Sequence, residues 1–304
     1  MTRPLGRLLT AMVTPFDASG EVDLDLAQRL ARALVAAGSD GVVVNGTTGE
    51  SPTLSDAERW SLLDAVREAL PDADVVMGTG SYSTEHTVEA TREAQRRGAD
   101  AALVVTPYYN KPPQEGLIAH YERVAEVGLS IVLYNIPARC GVNVSAETTL
   151  RLAQNPVIVG TKEAAGDVDQ VARICAAAPQ GFRVWSGDDA LTLPFMSAGA
   201  YGLISVAAHV SGGALRDLVS AAARGDMHEA TALHLRLLPL FKAMFATTNP
   251  IGVKAALQIA GVDCGGLRLP LVPMPDGLRA TLEQTMQSLG DLVALRVAEP
   301  AAAR

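Results

Sequence analysis

Lysine is scarce in this chain, and the side chains that usually hold metals or nucleic acids are few or scattered. The 304 residues include 25 Lys and Arg against 33 Asp and Glu, which gives a net charge of −8. Because no basic stripe offers a footprint for phosphate groups, nucleic acid is not an expected partner. The five histidines form no His-x-x-x-His pair, so the sequence gives no reason to expect a zinc or other metal site.

Cysteines and long apolar runs are also few. The three cysteines, Cys140, Cys175 and Cys264, lie far apart and are odd in number, which fits free thiols in a reducing cytoplasm. The apolar run Leu8–Val13 is too short for a signal-peptide core or a membrane span. We therefore expect a cytoplasmic protein without membrane contact, and we interpret this run as a first strand.

Short apolar runs alternate eight times with longer helical patterns. Each run is continuous rather than alternating, which is typical of parallel strands buried on both faces. The predicted strands are Leu8–Val13, Gly41–Val44, Asp74–Met77, Ala101–Val105, Ser130–Leu133, Val157–Lys162, Phe182–Trp185 and Gly202–Val206. Eight strand–helix units in succession favour an α/β fold of the closed (β/α)8 type, a TIM barrel, over the alternative of an open doubly wound sheet.

Helical patterns fill the intervals between these strands and continue after the eighth one. Ser55 and Glu58 have the spacing of a capping box, and Asp188 is interpreted as the N-cap of the helix after the seventh strand. No linker or shift in composition follows the eighth unit. We therefore expect residues 1–225 to form the barrel and residues 226–304 to form a C-terminal helical extension packed on it.

Catalytic groups in such barrels follow the C-terminal ends of the strands, and this rule singles out Lys162. The chain has only four lysines, Lys111, Lys162, Lys242 and Lys254, so arginine carries most of its ordinary surface charge. A lysine that ends an apolar strand is desolvated, which favours the neutral amine and its attack on a ketone to form a Schiff base. On position alone, a lysine whose amine snorkels from the barrel mouth into water stays equally open.

Other strand ends carry polar side chains in less specific patterns. Thr47 and Thr48 lie between two glycines after the second strand, which fits either a small-carboxylate site or a turn that needs both glycines. Tyr109, after the fourth strand, fits proton transfer or packing at a subunit contact. Tyr134 and Arg139 follow the fifth strand. For Arg139 alone, a surface ion pair is favoured over a bidentate carboxylate contact.

Six motifs at successive strand ends and in the C-terminal helices carry a family resemblance. They are Gly46-Thr47-Thr48-Gly49-Glu50-Ser51, Thr106-Pro107-Tyr108-Tyr109, Tyr134-Asn135-Ile136-Pro137-Ala138-Arg139, Gly160-Thr161-Lys162-Glu163-Ala164, Ser186-Gly187-Asp188-Asp189 and Asn249-Pro250-Ile251. Together they resemble the dihydrodipicolinate synthase family, within the wider group of pyruvate-dependent class I aldolases that includes N-acetylneuraminate lyase. The resemblance runs from Leu8 to about Leu289.

The resemblance implies a lyase that condenses pyruvate with L-aspartate 4-semialdehyde in lysine (diaminopimelate) biosynthesis. It implies no cofactor, because the chemistry proceeds through a covalent Schiff base of pyruvate on Lys162. Tyr134 matches the family's acid–base tyrosine, and Thr47 and Tyr109 match its partners in a proton relay. In the family the second tyrosine reaches in from a neighbouring subunit, so a homotetramer built from two tight dimers is expected.

The resemblance also assigns substrate-binding residues. Thr48 and the backbone near Ile204 match the pyruvate-carboxylate site, Gly187 is counted with them, and Arg139 matches the arginine that receives the semialdehyde carboxylate. The presence of this arginine favours the synthase over a sialic acid lyase. The alternatives are an aldolase or lyase of 2-keto-3-deoxy sugar acids or sialic acid that uses the same Schiff base, and a non-catalytic homologue. The presence of the lysine, the tyrosines and the threonine together argues against the latter.

Overall fold

The computed structural model of the protein describes residues 4–299 and contains the predicted barrel. Eight parallel strands close in the order β1 to β8, which confirms the predicted fold class. The strands are β1 Leu8–Ala11, β2 Gly41–Val44, β3 Asp74–Gly78, β4 Ala101–Val105, β5 Ile131–Asn135, β6 Ile158–Glu163, β7 Arg183–Ser186 and β8 Gly202–Ser205. The predicted and observed ends differ by no more than two residues.

Helices follow the strands along the chain and continue beyond the last one. Within residues 4–299 they are α1 Leu24–Ala36, α2 Asp56–Ala69, α3 Thr84–Arg96, α4 Gln114–Ala125, α5 Pro137–Cys140, α6 Ala146–Leu152, α7 Val168–Ala177, α8 Thr192–Ser197, α9 Ala208–Arg224, α10 Met227–Met244, α11 Ile251–Ile259 and α12 Asp276–Leu289. No helix in this range has both the length and the apolar character needed to cross a membrane.

The strands are buried on both faces. Every residue of β1, β2, β5 and β8 is buried, which explains why their sequences are continuous apolar runs rather than alternating ones. The polar exceptions have partners. In β1, for example, Thr10 Oγ1 lies 2.6 Å from Ser39 Oγ, so its hydroxyl is hydrogen-bonded although it is buried.

Two predicted N-caps are confirmed. Ser55 Oγ accepts the backbone N–H of Glu58 at 3.3 Å, and the Glu58 carboxylate accepts the backbone N–H of Ser55 at 2.7 Å. These reciprocal bonds are the predicted capping box of α2. Asp188 accepts the N–H of Ala190 at 2.8 Å and so caps the short 3-10 turn Asp189–Leu191 that precedes α8.

The described chain packs as two compact units. The first comprises the residues up to 75 together with those from 206 onward, and the second comprises residues 76–205. Within the first unit, α10 packs against α9 and α12, and α11 packs against α10 and α12. The boundary between the barrel and the C-terminal extension, placed between residues 225 and 226, stays a prediction. The last five residues of that predicted extension, 300–304, lie outside the described part of the chain.

Candidate active site

Lys162 lies near the C-terminal end of β6 in the second unit, and its amine is buried against an aromatic ring. The residue is only 4 % exposed, and Nζ lies 4.4 Å from the centroid of the Tyr134 ring. Lys162 forms no ion pair with any described residue. The snorkelling interpretation is therefore wrong for this chain, because the side chain does not reach water.

The surroundings of Lys162 lower the pKa of its amine to about 8. Burial is the main cause, since it penalises the charged form. The negative charge of Asp189 opposes this shift, and the positive charge of Arg139 adds to it. A larger fraction of neutral amine is therefore available near neutral pH than an exposed lysine would offer, and only the neutral form is a nucleophile.

A β-bulge between β5 and β6 places Lys162 beside Tyr134. The register advances by one residue at Val159, and beyond this point Tyr134 pairs with Lys162. In an uninterrupted register, Tyr134 would face Thr161 instead. Because strand side chains alternate between the two faces, this single extra residue decides which side chain of β6 meets the tyrosine.

Two glycines provide the space that this part of the barrel needs. A methyl group at Gly187 would lie 3.0 Å from Lys162 Cε and 2.9 Å from Ala164 Cβ. A methyl group at Gly160 would lie 2.2 Å from the carbonyl oxygen of Arg183. Both positions therefore admit only glycine without displacement of their neighbours, and at Gly187 the neighbour is the lysine itself.

Asp189 is a buried residue whose charge acts on Lys162, a role that the sequence did not predict. It is 1 % exposed, and its carboxylate accepts a hydrogen bond from the Ser205 hydroxyl. Ile204, which precedes Ser205 on β8, is also buried. The signal that could have revealed Asp189 is the repeated aspartate after β7, because one carboxylate suffices to cap the turn.

Arg139 and Tyr109 have exposed side chains. Arg139 lies on the short helix α5, and its charge acts on the amine of Lys162. Tyr109 is 92 % exposed and adopts φ +73°, a left-handed conformation that costs a non-glycine residue roughly 1–2 kcal/mol. Within its unit, therefore, the structure brings Lys162, Tyr134, Gly187 and the charge of Arg139 together, but leaves the Tyr109 ring in solvent.

In the first unit, the loop after β2 holds Thr47 and Thr48. Thr48 is buried, and its Oγ1 accepts a hydrogen bond from Asn249 Nδ2 at 2.9 Å. Thr47 is half-buried, and its carbonyl oxygen accepts the N–H of Glu50 at 3.1 Å. The loop is thus an ordered turn, and the hydroxyl of Thr48 is held by the residue that precedes a proline in the last of the six motifs.

A second lysine in the first unit, Lys254 on α11, is also buried. Its Nζ lies 2.7 Å from Glu50 Oε1 and donates to the carbonyl oxygen of Gly266 at 2.7 Å. The N–H of Arg268 donates to the other carboxylate oxygen at 3.0 Å. Burial lowers the pKa of Lys254, but the charge of Glu50 opposes this shift.

The ion pair gives Lys254 a different role from Lys162. A carboxylate in direct contact stabilises the protonated amine, so Lys254 is a cation that anchors the Glu50 end of the loop. From the sequence alone, Lys254 was distinguished only as one of four lysines. Its position inside the apolar stretch of α11 was the available signal that it is buried.

The described residues contain no group of three or more His, Cys, Asp and Glu side chains that could hold a metal ion. His209 illustrates how the buried histidines are used. Its Nε2 accepts the N–H of Val13 at 3.1 Å, Nδ1 lies 2.8 Å from the carbonyl oxygen of Val206, and burial lowers its pKa to about 4. This histidine is a neutral, fully bonded core residue.

These features define a class of protein, a closed parallel (β/α)8 barrel with a buried amine, free of an ion pair, near the end of a strand. The chain matches the model of the Dihydrodipicolinate synthetase family over residues 4–289. It belongs to this family.

Similar proteins agree with the family match along nearly the whole chain. A 4-hydroxy-tetrahydrodipicolinate synthase of Parasynechococcus marenigrum (strain WH8102) is 55 % identical over 289 residues, which cover 94 % of this chain and 96 % of the relative. The crystal structure of the Cyanidioschyzon merolae enzyme with lysine bound superposes with a TM-score of 0.92 at 44 % identity, covering 94 % and 98 % of the two chains. A monomeric dihydrodipicolinate synthase variant gives a TM-score of 0.91 at 41 % identity, covering 94 % and 97 %.

Replacement of Lys254 by methionine should destabilise the fold, because Glu50 would become a buried carboxylate without its cation. We expect a loss of about 3 kcal/mol in the free energy of unfolding, measured by urea denaturation. The matched control is Lys242→Met on the exposed part of α10, which should change stability by less than about 0.5 kcal/mol. Addition of Glu50→Gln to Lys254→Met should recover part of the loss. Equal stability of the wild type and Lys254→Met would show that the pair does not hold the loop.

Proposed function

We propose that this chain condenses pyruvate with L-aspartate 4-semialdehyde to give 4-hydroxy-tetrahydrodipicolinate, a step of lysine (diaminopimelate) biosynthesis. The observation that carries the proposal is the buried amine of Lys162, with its lowered pKa, beside Tyr134. The names of the relatives at about half identity over nearly their whole length support a lyase of this specificity.

The chemistry follows from a neutral amine in a desolvated position. Lys162 Nζ attacks the ketone carbon of pyruvate, and loss of water leaves a protonated imine. The imine withdraws electrons from the adjacent methyl group, so a proton leaves and a nucleophilic enamine forms. The enamine carbon adds to the aldehyde of the second substrate, whose amino group then displaces the lysine as the ring closes. Every covalent step takes place on Lys162, and the proposal needs no cofactor.

The other roles are assigned by the family resemblance. Tyr134 is proposed as the acid–base group, since its ring lies against the amine that forms the imine. Thr47 and Tyr109 are proposed as its relay partners. By the same resemblance, Thr48, Gly187 and the backbone near Ile204 are proposed to bind the pyruvate carboxylate.

Arg139 is proposed to receive the carboxylate of the semialdehyde. Its exposed guanidinium, whose charge acts on Lys162, suits bidentate recognition of a small anionic substrate. An aldolase or lyase for sugar acids or sialic acid is not favoured, because relatives that are about half identical over nearly the whole chain carry the synthase name. A cytoplasmic location is supported by the three cysteines, all of which are free thiols.

We further propose a homotetramer built from two tight dimers, in which Tyr109 serves the neighbouring subunit. Tyr109 extends into solvent at an energetic cost in backbone conformation, which a role outside its own subunit would explain. Next to it, the rings of Tyr82 and Tyr108 pack edge to face with centroids 5.5 Å apart. Exposed aromatic clusters of this kind are enriched at protein interfaces.

Borohydride reduction in the presence of pyruvate should trap a covalent adduct on Lys162, located by peptide mass mapping. Lys162→Arg should form no adduct although the charge is kept, because a guanidinium stays protonated. Lys242→Arg is the matched control and should trap pyruvate as the wild type does. An adduct on Lys111, Lys242 or Lys254, or no adduct at all, would refute the mechanism.

Arg139→Ala should impair use of the semialdehyde far more than formation of the pyruvate adduct. Loss of a charge-assisted contact should lower kcat/KM for the semialdehyde by a factor equivalent to about 2–3 kcal/mol. Steady-state kinetics with each substrate varied in turn measures the difference. An unchanged kcat/KM for the semialdehyde would remove Arg139 from the proposed site.

Tyr109→Phe should preserve the assembly but reduce the rate, because only the hydroxyl is lost. We expect sedimentation velocity to give a tetramer for both proteins and kcat to fall about 100-fold, the lower range for loss of a general acid–base group. The control is Tyr82→Phe, whose hydroxyl has no proposed part in the relay. A fully active monomer at assay concentration would contradict the proposal.

A further inference from the structure

Glu163, the residue after Lys162, is a buried carboxylate that the proposed mechanism does not use. It is 0 % exposed at the end of β6. Oε1 accepts from Asn135 Nδ2 at 2.9 Å and from the N–H of Ala165 at 3.0 Å, while Oε2 accepts from Asn135 Nδ2 and Gln170 Nε2, both at 3.2 Å. Burial raises the pKa of Glu163, and these donors oppose the shift.

The contact between Glu163 and Asn135 lies next to the reactive pair in the strand register. Tyr134 pairs with Lys162, and Asn135 pairs with Glu163 one residue further along β5 and β6. Because successive side chains of a strand point to opposite faces, the amide and the carboxylate join the strands on the face opposite to Lys162 and Tyr134. They do so at the last pair of the ladder between these strands, on the C-terminal side of the bulge.

The same hydrogen bonds continue to the segment that follows α5. Asn135 Nδ2 donates to Asn143 Oδ1 at 2.7 Å, and Asn135 Oδ1 accepts the N–H of Val144 at 3.0 Å. Asn143 Nδ2 donates in turn to Gln170 Oε1 at 2.9 Å. Asn135 precedes α5 and Asn143 follows it, so the network holds both ends of the helix that carries Arg139.

We propose that Glu163 is a positioning residue, which acts through Asn135 to hold Lys162 against Tyr134 and to fix the helix that carries Arg139. This inference rests on the proposed function. The nitrogen atoms of Asn135, Ala165 and Gln170 that hydrogen bond to the Glu163 carboxylate are N–H donors, so a carboxylate satisfies them and a single amide does not. Glu163 follows Lys162 on β6 and so lies on the opposite face of the strand, which makes its role geometric.

The test compares Glu163→Gln with a variant that exchanges the two partners, Asn135→Asp/Glu163→Gln. In the single variant one amide group of residue 163 faces other N–H donors. In the double variant the carboxylate is at position 135, and reorientation of the amides of Asn143 and Gln170 restores a donor and an acceptor between residues 135 and 143, 135 and 163, 163 and 170, and 143 and 170. Only the longer contact with the carbonyl oxygen of Val144, at 3.4 Å, is lost. Glu122→Gln, on the exposed face of α4, is the matched control.

The readouts are the rate of pyruvate adduct formation on Lys162 per folded enzyme, kcat/KM for the semialdehyde, the pH profile and the thermal midpoint. Glu163→Gln should slow adduct formation at least about tenfold, since a misplacement of about 1 Å can cost about 100-fold. It should also lower kcat/KM for the semialdehyde. The lysine limb of the pH profile should move, because the burial of Lys162 and its distance from Arg139, which act on the pKa of the amine, would both change. The double variant should recover most of the wild-type rate, and Glu122→Gln should match the wild type throughout.

The outcomes separate this inference from the proposed function. If the wild type forms no adduct on Lys162, the proposed function fails. If the wild type forms the adduct and Glu163→Gln forms it equally fast per folded enzyme, with only the thermal midpoint lowered, Glu163 is structural and the inference is overturned. If Glu163→Gln does not fold, the inference is tested by the rate at which the double variant forms the pyruvate adduct on Lys162. A rate near that of the wild type supports positioning, and a slow rate in a folded double variant overturns the inference.

Discussion

The amine of Lys162 is removed from water without a carboxylate in ion-pair contact with it, and the chemistry proposed for this barrel depends on that condition. Burial penalises the ammonium form, so the pKa falls to about 8. Lys254 provides the contrast within the same chain. It is equally buried, but Glu50 lies 2.7 Å away and stabilises its charge. A desolvated lysine becomes a nucleophile or a structural cation according to whether a carboxylate is in contact with it.

The surrounding strands must hold this amine in place without stabilising its protonated, unreactive form. The bulge at Val159 shifts β6 so that Lys162 lies against Tyr134, and Gly187 leaves room for the alkyl chain. The nearby charges, Asp189 and Arg139, act in opposite directions on the pKa, so neither fixes the protonation state alone. A ring face rather than an anion therefore forms the immediate neighbour of Nζ.

Other polar groups of the described chain are buried but bonded. Glu163 is enclosed by amide and backbone donors, and His209 is neutral between a backbone donor and a backbone acceptor. Each arrangement avoids the cost of an unsatisfied buried group. Tyr109 is the opposite case, a strained and exposed residue whose conformation has no explanation within its own unit.

Much of the fold could be predicted from the sequence because its signals are local. Continuous apolar runs placed all eight strands to within two residues, and the spacing of Ser55 and Glu58 placed the start of α2. The scarcity of lysine and its position at a strand end singled out Lys162. These features depend on burial and on hydrogen bonds between residues a few positions apart, which periodicity and composition record directly.

The partners of the buried polar side chains were decided only by the tertiary structure. Composition does not reveal the bulge that pairs Tyr134 with Lys162 rather than with Thr161, because Val159 is an ordinary strand residue. The ion pair of Lys254 on α11 with Glu50, in the loop after β2, joins residues far apart in the sequence, and neither residue type nor spacing predicts it. Whether a lysine is a nucleophile or an anchor depends on contacts within a few ångströms, and those exist only after the strands and helices have packed.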